Sequence, residues 1–159
     1  IIVIPLVDNG SIENNIQKNN LISVLLSKLD FIKHLKLKIV FETDFNPKAT
    51  YDFIREFPKE SFGINYDTGN SASLDYESDE EFEYYGEWIK NVHIKDRIKF
   101  GKTVELGKGN ANFEKIFRNL KICKYDGNLI MQTARDNNEQ HSEALKRYKV
   151  MIENWIQEL

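Results

Sequence analysis

What this 159-residue chain lacks already narrows its possibilities. It has one cysteine, Cys123, so no internal disulfide framework can form and a reducing compartment is expected. Positive charge is not in excess: 22 Lys and Arg stand against 25 Asp and Glu, a net charge of -3. That balance leaves no basic footprint for nucleic acid or an anionic membrane surface. No apolar run approaches the roughly 20 residues of a membrane span. A basic segment followed by a short apolar one, as in a secretory signal, is also missing, so the expected location is cytoplasmic. No linker, low-complexity segment or sequence repeat interrupts the chain.

The sequence also lacks an initial methionine, opening directly on Ile1-Ile2-Val3-Ile4-Pro5-Leu6-Val7. A buried strand seldom opens a domain, so the expectation is a sequence that begins partway through a larger fold. What is present is ordinary globular composition, 41% hydrophobic and 30% charged, enough for one domain with a core over residues 1–159.

Residues 1–7 read as a buried strand with Pro5 at its end, where a missing N–H does little harm. Turn residues follow at Asp8-Asn9-Gly10-Ser11. Apolar residues at helical spacing, from Ile12 to Ile32, predict one helix over residues 12–35, with His34 on the solvated surface. A second strand is expected over 37–42, and Asp44, Asn46 and Pro47 break the pattern before a short helix over 49–57. A third strand spans Phe62–Asp67, followed by a turn at Thr68-Gly69-Asn70-Ser71. Ser78 with Glu81 three residues on is a capping-box signal, and the acidic cluster Glu77, Asp79, Glu80, Glu81 and Glu83 suits a solvated helix N-terminus.

The fourth strand lies in NVHIKDR, residues 91–97, and a long loop with Gly101, Gly107 and Gly109 follows. Asn112 is a good N-cap for a helix through Ile122, with Cys123 packing near its end. A fifth strand is expected over 128–132, a polar loop over 133–138, and a last helix over 139–157 with His141 in its first turn. Strands alternating with helices at this spacing predict parallel βα units, an α/β fold.

In a parallel sheet the C-terminal ends of all strands share one rim, where α/β folds carry their sites. Glu42, Asp67, His93 and Gln132 occupy such ends. Alternation puts all four on one face with Val40, Asn65, Asn91 and Ile130. The other face carries Ile39, Phe41, Ile64, Tyr66, Val92, Ile94, Leu129 and Met131, fit to meet covering helices. A lone strand histidine is more often a core residue than a ligand. Here, however, two carboxylates, an imidazole and an amide oxygen would meet, a thiolate-free set that suits Mn²⁺ first, then Mg²⁺, Co²⁺ or Zn²⁺.

The segments VFETDF, FGINYDTGNSA, NVHIKDR, ELGKGNANF and YDGNLIMQTAR also appear in an informative order. Together they resemble the second half of the sugar phosphate isomerases/epimerases of the xylose-isomerase-like TIM barrels. That group also holds ketose 3-epimerases, inosose dehydratase and endonuclease IV. The resemblance covers residues 1–135 and implies a (β/α)₈ TIM barrel, of which this chain supplies roughly the C-terminal five βα units; such barrels need about 200 residues. An open part-barrel exposes apolar strand edges and is prone to pair, so a homo-oligomer is possible.

The resemblance implies that Glu42, Asp67 and His93 are metal ligands. Gln132 stands where epimerases usually carry a second Glu, and Asn70 where many members have a substrate-binding His. Gln132 can ligate through its amide oxygen but cannot act as a base, which weighs against two-base epimerisation. One-base chemistry survives, with Glu42 shuttling a proton through an enediolate in a sugar or sugar phosphate. Lys95, Arg97 and Arg135 follow strand ends and are candidates to hold phosphate or hydroxyls, although exposed cations usually only solubilise. Leu106-Gly107-Lys108-Gly109 resembles the family's LGxG segment.

Three functions compete on this reading. The first is a metal-dependent sugar or sugar-phosphate isomerase or epimerase-like enzyme. The second, prompted by Gln132 and Asn70, is a non-catalytic carbohydrate-binding barrel. The third, phosphodiester cleavage, needs a multi-metal cluster, and His34 and His141 are badly placed to join His93.

Overall fold

A computed structural model of the chain describes residues 1–136 and 139–157. Its frame is a five-stranded parallel sheet in the order β1-β2-β3-β4-β7. These strands are β1 (Ile2–Leu6), β2 (Ile39–Thr43), β3 (Phe62–Asp67), β4 (Ile89–Ile94) and β7 (Leu129–Met131). Between β1 and β2 run α1 (Asn15–Ser27) and α2 (Leu29–His34). Next come α3 (Pro47–Ile54), α4 (Thr68–Ser73) and α5 (Ser78–Tyr85). After β4 a small antiparallel hairpin forms from β5 (Asp96–Arg97) and β6 (Thr103–Val104). The chain continues with α6 (Phe113–Ile122) and α7 (His141–Gln157).

Period-2 alternation in the strands separates two environments. Ile39, Phe41, Ile64, Tyr66, Val92 and Ile94 are all buried in one continuous core with residues of α3, α5, α6 and α7. Phe41, Phe53, Phe57 and Phe62 form its densest knot, with ring centroids 4.6–6.1 Å apart. Such ring pairs contribute about 0.5–1.5 kcal/mol each beyond area burial. The opposite face carries the polar strand ends.

Both sheet edges are open. Ile1 and Ile2 beside β1 are 56% and 45% exposed, and Ile130 of β7 is 44% exposed. No residue of α1 is fully buried, but Leu21, Ile22 and Leu25 are half-buried against the core while Ile16, Val24 and Leu26 stay exposed. None of the helices among the described residues is long and apolar enough to cross a membrane.

Several elements differ from expectation, each for a local reason. The single helix predicted over 12–35 breaks at Lys28, where Ser27 Oγ donates to the Val24 carbonyl and the Lys28 N–H turns to Leu25 and Leu26. Such side-chain bonds compete with the helical ladder. α3 begins two residues early because Asn46 caps it and Pro47 sits at N1, where its missing N–H is harmless. The turn predicted at 68–71 is instead the buried helix α4, capped by Asp67. The capping box fails too: Ser78 makes no cap bond, and Glu81 is turned inward at 2% exposure. His141 opens α7 and accepts the Asp136 N–H at 3.1 Å through Nδ1. The last two residues of the loop predicted over 133–138 lie outside the described residues.

The aromatic knot yields a direct check on the packing. Phe53 is 1% exposed and touches the rings of Phe41, Phe45 and Phe57. Phe53→Ala is expected to cost about 3–5 kcal/mol of stability, measured by urea denaturation.

Candidate metal centre

The parallel register assembles the centre. Pairing β2 with β3, and β3 with β4, brings Asp67 level with His93 and carries Glu42 to the same rim. His93 Nδ1 lies 3.5 Å from Glu42 Oε2 and 3.8 Å from Asp67 Oδ2. One ligand atom from each of the three residues falls within 4.8 Å of the others. Glu42 and Asp67 are buried, and His93 is half-buried.

Three of the four oxygens of the two carboxylates accept hydrogen bonds. Glu42 Oε1 accepts Asn70 Nδ2 at 2.6 Å, and Oε2 accepts Asn65 Nδ2 at 2.9 Å. Asp67 Oδ1 caps α4 by accepting the N–H groups of Gly69 and Asn70 at 3.0 and 2.8 Å. Asp67 Oδ2 is different: it is buried, accepts no well-directed hydrogen bond, and has Lys95 Nζ at 2.9 Å as an ion pair. That orphaned oxygen faces His93 Nδ1, and with Glu42 it forms an O, O, N donor set of the kind divalent cations of borderline hardness take. The residues therefore fit a divalent ion held by Glu42, Asp67 and His93.

Burial and neighbouring charge push the two carboxylates apart. Burial by itself would raise Glu42, but His93 beside it, the Lys95 charge and the Asn65 amide outweigh this and hold it below the ordinary 4.5. For Asp67, burial dominates and raises its pKa above 3.8 despite Lys95, with the Glu42 charge adding to the rise.

α4 positions Asn70, and three contacts hold α4. Thr68 Oγ1 donates to the Lys95 carbonyl and accepts the Lys95 N–H at 2.9 Å, tying the helix to the end of β4. Gly69 lets the Lys95 side chain cross: a Cβ there would meet it at 2.7 Å. Ser71 Oγ donates to Glu81, which also accepts Tyr66 Oη at 2.8 Å and Tyr85 Oη at 2.7 Å. Burial raises the Glu81 pKa, and the three hydroxyls oppose the rise. The residue read as solvated surface is thus a buried hub joining β3, α4 and α5.

The other expected residues are distributed unevenly. Lys95 Nζ reaches Asn70 Oδ1 at 3.4 Å as well as Asp67. Arg97 donates from Nη1 to Asn70 Oδ1 at 2.9 Å and from Nε and Nη2 to the Gly101 carbonyl, so its guanidinium braces the hairpin as well as the site. Gln132 follows β7, bonds through its N–H to the Ile94 carbonyl and is exposed. Arg135 is exposed too and lines a cavity of about 560 Å³ with Lys102, Lys108 and Glu105. His34 is exposed at the end of α2, and neither it nor His141 joins the cluster.

Two features had weak or no sequence signals. Asn65 was legible as a residue on the same face as Asp67, but not as the donor that bridges Glu42 and His93. Asp96, 1% exposed, accepts the N–H groups of Gly107, Gly109 and Ala111 at 2.8–3.1 Å and so pins the LGKG loop. Gly107 takes φ +81° there, a conformation that favours glycine.

Parallel βα units with a polar rim at the strand ends define a partial (β/α)₈ barrel. The family model described as xylose isomerase-like TIM barrel matches residues 2–155, and the chain belongs to that family. An uncharacterized protein of Methanocaldococcus jannaschii, MJ1311, is 26% identical over 116 residues, 70% of this chain and 40% of its own length. A xylose isomerase domain protein from Planctomyces limnophilus superposes with a TM-score of 0.81 at 16% identity, over 98% of this chain and 60% of that one. A D-tagatose 3-epimerase-like protein does so with 0.67 at 20% identity, over 96% and 62%. The chain thus spans 40% to 62% of the length of these proteins.

The opposed carboxylate shifts have a testable consequence. Glu42, depressed in the fold, contributes stability above its unfolded value that is lost as pH falls through the folded one; Asp67, raised, gains as pH falls through its own. Glu42→Gln is therefore expected to lose less stability than wild type on acidification below pH 4.5, measured as urea midpoints across a pH series.

Proposed function

We propose that this chain carries the metal centre of a divalent-cation-dependent sugar or sugar-phosphate isomerase or epimerase-like enzyme. On this reading residues 1–159 form the C-terminal part of one barrel domain. The carrying observation is the convergence of Glu42, Asp67 and His93 at one rim, with Asp67 Oδ2 buried and ion-paired with Lys95 but accepting no well-directed hydrogen bond. Support for the class comes from the family match and from the epimerase-like fold neighbour.

Glu42, Asp67 and His93 would hold the ion, Mn²⁺ ahead of Mg²⁺, Co²⁺ or Zn²⁺, with Gln132 as a fourth ligand through its amide oxygen. Bound there, a divalent cation supplies polarisation of a substrate carbonyl and its neighbouring hydroxyl. Glu42 is the base: its depressed pKa keeps it ionised and ready to take a proton from carbon and return it to the adjacent one through an enediolate. Gln132 cannot serve as a second base, which favours one-base transfer over two-base epimerisation. Asn70, Lys95 and Arg97 form the polar wall beside Glu42 and are the residues to orient hydroxyls. Arg135, with Lys102 and Lys108 around the rim cavity, suits a phosphate at the far end of the substrate.

The same Gln132 supports a second reading, a barrel that binds a carbohydrate without turning it over. Proton exchange separates the two. With Mn²⁺ and a ketose in D₂O, wild-type protein is expected to wash deuterium into the carbon beside the carbonyl. Glu42→Gln is expected to lose at least about a hundredfold of that rate, the scale of general-base catalysis. Binding of the sugar without exchange, followed by NMR, would establish the non-catalytic reading instead.

A further inference from the structure

We infer that Asn65 is a positioning residue that sets the tautomer of His93, so that Nδ1 meets the cation as a lone pair and not as an N–H. The inference rests on the metal-centre reading and deepens it.

Two buried asparagines lie one layer below Glu42, Asp67 and His93. Asn65 and Asn91 face one another in register across β3 and β4, at 2% and 4% exposure. Asn91 Nδ2 donates to Asn65 Oδ1 at 2.7 Å. With its oxygen engaged from below, the Asn65 carboxamide has one orientation, and its NH₂ group faces the rim. One N–H reaches Glu42 Oε2 at 2.9 Å, and the other reaches His93 Nδ1 at 3.1 Å.

An amide nitrogen donates and does not accept. Nδ1 must therefore accept, and the neutral imidazole carries its proton on Nε2. A proton on Nδ1 would set donor against donor at 3.1 Å, and Glu42 Oε2 at 3.5 Å is too distant to compensate with a good hydrogen bond. The same nitrogen lies 3.8 Å from the orphaned Asp67 Oδ2. Asn65 thus keeps Nδ1 free of a proton, 3.5 Å from Glu42 Oε2 and 3.8 Å from Asp67 Oδ2, before any ion arrives. Coordination then needs no proton to leave His93, only release of one amide hydrogen bond. A purely space-filling asparagine pair would not dictate the tautomer, so the proton's position distinguishes the two roles.

The test uses the full metal-free protein, with ¹⁵N–¹H correlation spectra of the imidazoles at neutral pH. The expected result for His93 is a proton on Nε2 and none on Nδ1; a neutral ring protonated on Nδ1 overturns the inference. Asn91→Asp reverses the relay from outside the ligand set: a carboxylate there accepts from Asn65 and turns Oδ1 toward His93, at the cost of the Asn65 bond to Glu42. In this variant the His93 proton is expected to move to Nδ1, and Mn²⁺ affinity by calorimetry to fall about 10- to 100-fold. A folded Asn91→Asp with the wild-type tautomer, or with the moved tautomer and unchanged affinity, overturns it. If that variant does not fold, Asn65→Leu, which removes the donor at similar volume, is expected to let both His93 tautomers appear; a single Nε2–H form overturns the inference. Wild-type protein with the expected tautomer and no Mn²⁺ binding would sink the metal-centre reading and leave the tautomer assignment standing.

Discussion

Two carboxylates, drawn together beside an imidazole at the ends of three adjacent strands, repel one another and lose water, and much of the surrounding structure answers that strain. Burial of an ionised group is costly unless it is paired and hydrogen-bonded. Glu42 is satisfied by two asparagine amides and the charge of Lys95, and stays ionised. Asp67 gives one oxygen to the start of α4 and keeps the other for Lys95 or a cation. Asp67 Oδ2, ion-paired with Lys95 but accepting no well-directed hydrogen bond, carries more weight than the mere presence of acidic residues.

The rim is stiffened from behind. Glu81 collects hydroxyls from Tyr66, Ser71 and Tyr85, so α4 cannot shift without breaking contacts to β3 and α5. Asp96 does the same for the glycine loop with three backbone N–H groups. Both devices place a buried carboxylate where backbone or hydroxyl donors converge, and both hold elements that border the site. The open sheet edges, in contrast, carry exposed Ile1, Ile2 and Ile130, in keeping with a chain that supplies part of a barrel.

Much of this was legible in the residues. The β3 boundaries, the Asn112 cap, the strand parity and the convergence of Glu42, Asp67 and His93 follow from period-2 alternation and from the shared polarity of parallel strands. Gln132 was legible as a strand-end residue, and it stands exposed at the end of β7. What misled were short segments whose local chemistry is ambiguous. Thr68-Gly69-Asn70-Ser71 has the composition of a turn, yet Asp67 and the packing around it make it helical. Ser78 and Glu81 have capping-box spacing, but the hydroxyls of Tyr66 and Ser71, distant in sequence, draw Glu81 inward.

The sequence by itself determined the alternation of strands and helices, the sidedness of each strand and the sharing of one rim by Glu42, Asp67 and His93, because these depend on periodicities of two and 3.6 within one segment. Tertiary structure alone decided that Asn65 bridges Glu42 and His93, that Arg97 braces Gly101, and that Glu81 is a hub. Those partners lie 4 to 28 positions apart, on different elements in all but one case, and no local pattern encodes which distant donor a buried carboxylate will meet.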